Sequence, residues 1–466
     1  MNEKRAVFES MPVPKALRML AGPTIISQLI NLIYNAVDAI FIGQTGDAYK
    51  TAAVTLAFTI FMMNIAIANL FGIGGGSLIA RLAGKGHTEK AKGISSFSFW
   101  ASIGAAAMYS LVIWIFMDQI LYGLGASENT IVFARQYVTF VIVIGDIPLI
   151  ISLTAAHLLR NTGYARQAGF GLSGGGLLNI ALDPLFMFVI FPKGMEVAGA
   201  AVATLLSNVI SAIYLVAVII KVSKQAPISI SPKDMKSIAV RDTKEVFTVG
   251  TPSALLPGLF DVANIFLNAF MAMHGDLQLA AIGIVMRIDR LPNAINIGIC
   301  QGSLPLIAYN YASGNHKRMN EVVKTARIYG IVVSVLSLAL FQLAPGVLCG
   351  AFMRQGTAGD PAMAQATIVF AIRFLRLRSL SSFFPMLNYS TSYNLQAVGD
   401  GRDTFIHAVV RILGLYIPIM YLMNVLFGSD GLAVCYAISE AISSIFVLWL
   451  FRRWKKSHVK MGQDRA

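Results

Sequence analysis

Twelve separate stretches of this 466-residue chain read as segments that cross a lipid bilayer, and no other feature restricts its fold as much. A helix needs about 20 apolar residues for the passage. Runs bounded by charges or turn residues place spans at 20–43, 52–80, 94–117, 137–156, 168–191, 197–220, 246–273, 279–311, 328–345, 367–393, 405–427 and 431–451. In hydrocarbon every backbone N–H and C=O must find a partner within its own segment, so such runs become helices. The predicted fold class is all-α: a polytopic membrane protein of twelve transmembrane helices. Composition agrees, because 56% of the residues are hydrophobic and only 13% charged, against roughly a quarter charged in soluble domains. That balance leaves no large soluble domain and argues against a nucleic-acid binder despite the formal charge of +14.

Lysines and arginines in short loops resist translocation and so report orientation. The segments 1–19, 81–93, 157–167, 221–245, 312–327, 394–404 and 452–466 hold 27 bases, whereas the alternating segments hold four, Lys50, Arg135, Lys193 and Arg354. Both termini are expected in the cytoplasm, and the membrane is expected to be the cell's inner (plasma) membrane. The longest polar connection, 221–245, divides the chain into an N-terminal six-helix lobe (1–220) and a C-terminal one (246–451), followed by a basic tail (452–466). Its six bases read as a topological signal or as a strip for anionic headgroups. The N-terminus lacks the short apolar core and small-residue site of a cleaved signal. Cys300, Cys349 and Cys435 have no spacing that suggests a disulfide, redox motif or zinc site.

The two halves repeat. Pro23 and Pro252, Asn35 and Asn264, Ala83 and Ala312, and His87 and His316 are each 229 residues apart, and Gly163–Arg166 pairs with Gly399–Arg402 at 236. Parallel repeats of membrane helices build a substrate path at their interface, so two pseudo-symmetric lobes around a central cavity are expected.

Ionisable groups inside these spans need an explanation, since a charge at mid-membrane costs on the order of 2.5–3.5 kcal/mol on insertion scales. Asn31, Asn35 and Asp38 share one face of the first span by spacings of four and three. Asn179 and Asp183 lie one turn apart on the fifth, and Thr204, Asn208 and Ser211 share a face of the sixth. Carboxylates among amide and hydroxyl oxygens suit a hard monovalent cation or a shared proton. The other reading is a hydrogen-bond network that joins helices without further function. Asp261, Asn264 and Asn268 repeat the theme on the seventh span, with Asp261 a second ion site, an anchor for a cationic ligand, or the partner of an arginine. Arg373, Arg376 and Arg378 on the tenth span either snorkel outward and neutralise acids, or line the cavity and admit an anionic group. His157 and His407, near helix ends, read as interfacial histidines.

The glycine clusters at 72–76 and 174–176 lack the context and the lysine of a phosphate loop, so no ATP hydrolysis of that kind is expected. No HExxH motif or other catalytic constellation marks an enzyme. Prolines inside spans, Pro23, Pro148, Pro184, Pro252, Pro257, Pro292, Pro305, Pro385 and Pro418, suit helices that bend. A major-facilitator transporter would carry an acidic-arginine signature after its second span, where this chain has RLAGKGHTEK.

NLIYNAVDAIFIGQ (31–44), NLFGIGGGSLIARLAGKGH (69–87), LRNTGYARQ (159–167), LLNIALDPLFMF (177–188), VAGAAVATLLSN (197–208) and QGSLPLIAYNYASGNHKRM (301–319), in this order, resemble the multidrug and toxic compound extrusion (MATE) transporters, most closely a branch of bacterial drug exporters. The resemblance implies an antiporter that exports amphipathic, often cationic compounds in exchange for Na⁺ or H⁺. It implies coupling through residues matching Asp38, Asn179, Asp183 and Thr204, to which spacing adds Asn35. The expected cavity residues are Asn31, Asn208, Asp261, Asn264 and Asn268. The tenth span offers arginines where some members of the family carry an acid. A monomer in contact with membrane lipids and a small-molecule substrate is expected, with no nucleic acid, ATP or cofactor beyond the coupling ion. The rival within the same architecture is a flippase for a lipid or lipid-linked precursor.

Overall fold

The computed structural model describes residues 3–353 and 361–463, and Arg354, one of the four bases of the sparsely charged loops, lies outside them. Every span read from the sequence is helical, and among the described residues there is no strand. The first three are Val13–Gln44, Ala48–Gly84 and Thr88–Ile115. The seventh to ninth, Val240–Ala272, Asp276–Ala312 and His316–Leu343, match them almost residue for residue in length: 32, 37 and 28 residues against 33, 37 and 28. A short helix follows each set, Met117–Gly123 in one half and Pro345–Met353 in the other. The eighth and tenth spans carry Arg287, Asp289 and Arg290, and Arg373, Arg376 and Arg378, and are the two that length and hydropathy alone would not select.

Several spans are broken where the sequence showed one continuous run. The fourth joins Glu128–Val138 and a π-turn, Thr139–Ile144, to Asp146–Asn161 through a bend of 51°. Pro148 has no N–H for the carbonyl four residues back, which leaves the ladder open there. The fifth span is Ala165–Leu185 with a π-turn at Phe186–Ile190, and the eleventh runs from Gly401–Val409 through the π-turn Val410–Tyr416. Pro184 and Pro418 adjoin those turns. The tenth is two helices, Pro361–Ser379 and Phe384–Val398. In the gap, the hydroxyls of Ser379, Ser381 and Ser382 donate to the carbonyls of Arg376, Arg378 and Ser379, so side chains replace helical bonds. The sixth is Glu196–Val222, and the twelfth continues from the eleventh through Gly428, whose φ of 57° only glycine adopts cheaply.

The connection 221–245 is docked on the third span. Ser95, Ser96 and Trp100 donate to the carbonyls of Ser229, Ser231 and Ile230 at 2.8, 2.7 and 2.8 Å. Large apolar side chains such as Phe170, Val189 and Ile445 are about 70% exposed, a belt that water would penalise and acyl chains accept.

The lobes meet by a symmetric exchange, the first span packing on the eighth and the seventh on the second. Small residues permit it. A Cβ placed on Gly302 would lie 2.4 Å from the Cα of Ala21, and one on Gly250 would lie 2.0 Å from the carbonyl oxygen of Leu70. Among the described residues, the interlobe hydrogen bonds gather at the end of the molecule that carries both termini. Ser77 donates to the carbonyl of Gln396 at 2.6 Å, Gln28 to Gln301 at 3.1 Å, and Arg81 pairs with Glu245. Glu3–Glu9 straps the same end, where Arg318 donates to the carbonyls of Val7, Phe8 and Met11 and the Tyr309 hydroxyl donates to Glu9 at 2.5 Å. The molecule is shut at its termini end.

Candidate functional site

Above that closed floor the lobes part around a cavity of about 550 Å³. Four of the five residues expected in its wall are there: Asn31 and Asn208 from one lobe, Asp261 and Asn264 from the other. Asn268, one turn beyond Asn264, is exposed and stands outside the wall. Asn35 turns back along its own helix, its amide donating to the carbonyl and side-chain oxygens of Asn31 at 2.7 and 2.8 Å. It stands at the cavity with Asn31 rather than reaching toward Asp183.

In the N-lobe the fifth and sixth spans bring Asn179, Asp183 and Thr204 together, Asn179 and Thr204 lining the cavity and Asp183 standing behind them. The Asn179 amide donates to Asp183 Oδ1 at 2.9 Å and to Thr204 Oγ1 at 3.3 Å. Asp183 is fully buried and Asn179 is 3% exposed. Asp38 comes in from the first span close enough to interact electrostatically with Asp183, with Tyr34 and Tyr137 beside both. Three oxygens are left over: Asp38 Oδ1, Asn179 Oδ1 and Asp183 Oδ2 are buried without a hydrogen-bond partner. Among the described residues no lysine, arginine or histidine lies within ion-pair distance of either carboxylate. Buried acceptors are ordinarily satisfied, so a cluster with surplus lone pairs and no base is chemically a receptor for a cation or a proton.

The C-lobe arranges its charges differently. The fully buried Arg411 is held by both carboxylate oxygens of Glu440 at 2.8 Å, and its guanidinium lies over the rings of Phe260 and Tyr389. Arg378 pairs with Asp289 at 3.1 Å and covers the ring of Tyr436. Of the three arginines of the tenth span, only Arg378 lines the cavity; Arg373 pairs with Asp430 away from it, and Arg376 is exposed. Asp261 forms no ion pair with an arginine of the tenth span; the base whose charge reaches it is Arg290 of the eighth.

Three residues of this region were not singled out by the sequence. Asp289 sits between Arg287 and Arg290, where it reads as part of a charged cluster, and its partner is 89 residues away. Asp146 is fully buried at the bend of the fourth span, accepting from Ser110 at 3.0 Å. Arg160, at the end of that span, counts in the sequence only as a topological base, yet it lines the cavity.

The sequence model of the MatE family matches the chain twice, over residues 23–185 and 252–422, so the two matches begin at the register-mates Pro23 and Pro252. The multidrug export protein MepA of Staphylococcus aureus (strain MRSA252) is 30% identical over 459 residues, covering 97% of both chains. Among solved structures, a crystal structure of a MATE protein in complex with MaL6 superposes with a TM-score of 0.90 at 24% identity, over 99% of this chain and 100% of that one. An outward-facing multidrug resistance MATE family transporter of the MOP superfamily gives 0.89 at 24% identity, over 99% of each. Two family matches at the internal repeat spacing, a relative aligned almost end to end, and a common fold together establish that this multi-pass membrane protein belongs to the MATE family of transporters.

Proposed function

We propose that the protein exports amphipathic, often cationic compounds across the plasma membrane in exchange for Na⁺ or H⁺. Both termini, and hence the closed floor, face the cytoplasm in this reading, so the structure is the outward-open member of an alternating-access pair. Its MepA relatives are multidrug export proteins. The carrying observation is the trio of unpartnered oxygens at Asp38, Asn179 and Asp183, with no base within ion-pair distance of either carboxylate among the described residues. A cation or proton arriving from outside satisfies them and lowers the repulsion between the carboxylates. The first span, which carries Asp38 behind the wall and Asn31 in it, links that event to the cavity. Coupling requires that ion and drug favour opposite states, since equal affinity for both moves nothing. The chain acts as a monomer, with no ATP and no cofactor other than the coupling ion.

The test is efflux of a cationic dye from proteoliposomes under an imposed Na⁺ gradient and, separately, an imposed pH gradient. One gradient is expected to drive transport. Transport that responds to neither removes the antiport reading.

A further inference from the structure

Arg160 is the cavity base without a counter-charge. Its side chain belongs to a residue 3% exposed, and among the described residues no carboxylate lies within 4 Å of it. Arg378 has Asp289, and Arg290 has Asp261 nearby. Arg160 Nη1 is 3.2 Å from Gln301 Oε1 and 3.2 Å from His157 Nδ1, neither of them an acid, and its Nε, though buried, has no partner. Asp289 cannot neutralise it from the eighth span: Gln301 lies twelve residues further along, about 18 Å at the helical rise. A buried guanidinium without an anion is costly in a membrane, and its planar array of donors matches an oxyanion.

The position of this group adds a switch. Arg160 stands on the N-lobe and Gln301 on the C-lobe, at the floor that Gln28 also ties to Gln301. Opening the floor must separate the lobes and break the Arg160–Gln301 bond. Deepening the export reading above, on which it rests, we propose that Arg160 anchors an acidic group, such as a carboxylate, on the transported compound. The guanidinium is free for that group while the floor is open, and Gln301 takes it back as the floor shuts. The substrate class this selects is amphiphiles that carry an acid, dipolar ones included, beside the plain cations. Because the donor is occupied by protein in one state only, the acid binds the two states unequally, which is what a transport cycle requires.

The experiment uses the full-length protein in lipid nanodiscs and two matched probes, a rhodamine with a free benzoate and the methyl ester of the same dye. Arg160→Gln is expected to weaken binding of the acid dye by about tenfold or more relative to the ester. Arg160→Lys is expected to retain more of the acid affinity than Arg160→Gln. Gln301→Leu, which releases the guanidinium in the closed floor, is expected to tighten the acid dye alone. Bound ester in each variant certifies a folded cavity. Equal losses for both dyes, or no loss for either, overturn the assignment while leaving export of cations intact. If the wild-type protein binds neither dye, the export reading fails and this inference with it.

Discussion

A buried aspartate with no base beside it and an oxygen without a donor is stable only with something bound. At Asp183 the surplus acceptor is shared with Asn179 and, one helix away, with Asp38. Asp183→Asn and Asp38→Asn remove the charge with little change in volume, so both variants should insert and melt like the wild type. They should nevertheless lose ion-driven efflux of a cationic dye. Full ion-driven transport by either variant would show that its carboxylate is a helix-joining group and no more. Arg411 and Glu440 predict the opposite pattern. That pair is closed on itself, with Asn388 also donating to Glu440 at 2.8 Å. Glu440→Gln strands a buried guanidinium and should cost about 3–5 kcal/mol of stability, read as a lower melting temperature in detergent. Adding Arg411→Met to that variant should recover most of the loss, whereas no recovery would mean that the pair does more than neutralise itself.

Helices were legible where apolar length alone decides them, and less so where a bend or a partner decides. The first three spans and their images in the second half are where the hydrophobic runs put them, each extended by polar end-turns that a hydropathy reading trims. The break at 380–383 is hidden because the apolar run resumes at once with Phe383 and Phe384, while the serines at 379, 381 and 382 signal it only by donating to carbonyls. Asp38 and Asp183 stood out because a carboxylate in an apolar run is conspicuous. Arg160 did not, because a base at a helix end is ordinary. The strap Glu3–Glu9 carries no sequence signal beyond its charges, although it fastens one lobe to the other. Arg318→Ala removes the contacts to the strap's Val7 and Phe8 carbonyls and to that of Met11 just after it, and should raise labelling of cysteines introduced in the floor from the termini side. The strap should also respond to acid. The Tyr309 hydroxyl, and then Arg5, hold the Glu9 carboxyl below its usual 4.5. A group with a lowered folded value contributes fully above its unfolded one and loses its contribution as pH falls through the lowered value. Floor labelling should therefore rise below about pH 4.5, and Glu9→Gln should abolish that rise; a rise that survives the substitution would place the acid response elsewhere.

At the scale of the whole molecule, the duplication shapes the floor. The contact of Ala21 with Gly302 maps, by the 229-residue register, onto positions 250 and 73, and Gly250 packs on Leu70 and Gly74 to either side of Ile73, so the floor is closed by one device used twice. Both copies depend on a missing side chain. A methyl group on Gly302 meets the Cα of Ala21 at 2.4 Å, and one on Gly250 meets the Leu70 carbonyl at 2.0 Å, backbone in each case and not a flexible tip that could yield. Gly302→Ala and Gly250→Ala should each wedge the lobes apart at the termini end while leaving the interior of each lobe packed. Turning a population from 99:1 closed to 1:99 takes about 5.5 kcal/mol, and a backbone overlap of this kind at a rigid crossing costs a large part of that. Each variant should therefore show the floor open to thiol reagents from the termini side, keep its melting temperature within a few degrees, and fail to export under either gradient. The decisive comparison is between the two: a floor built by duplication requires the same phenotype from both positions. If one opens the floor and the other does not, the lobes close by separate means, and the rocking of two equivalent halves is not how this transporter works.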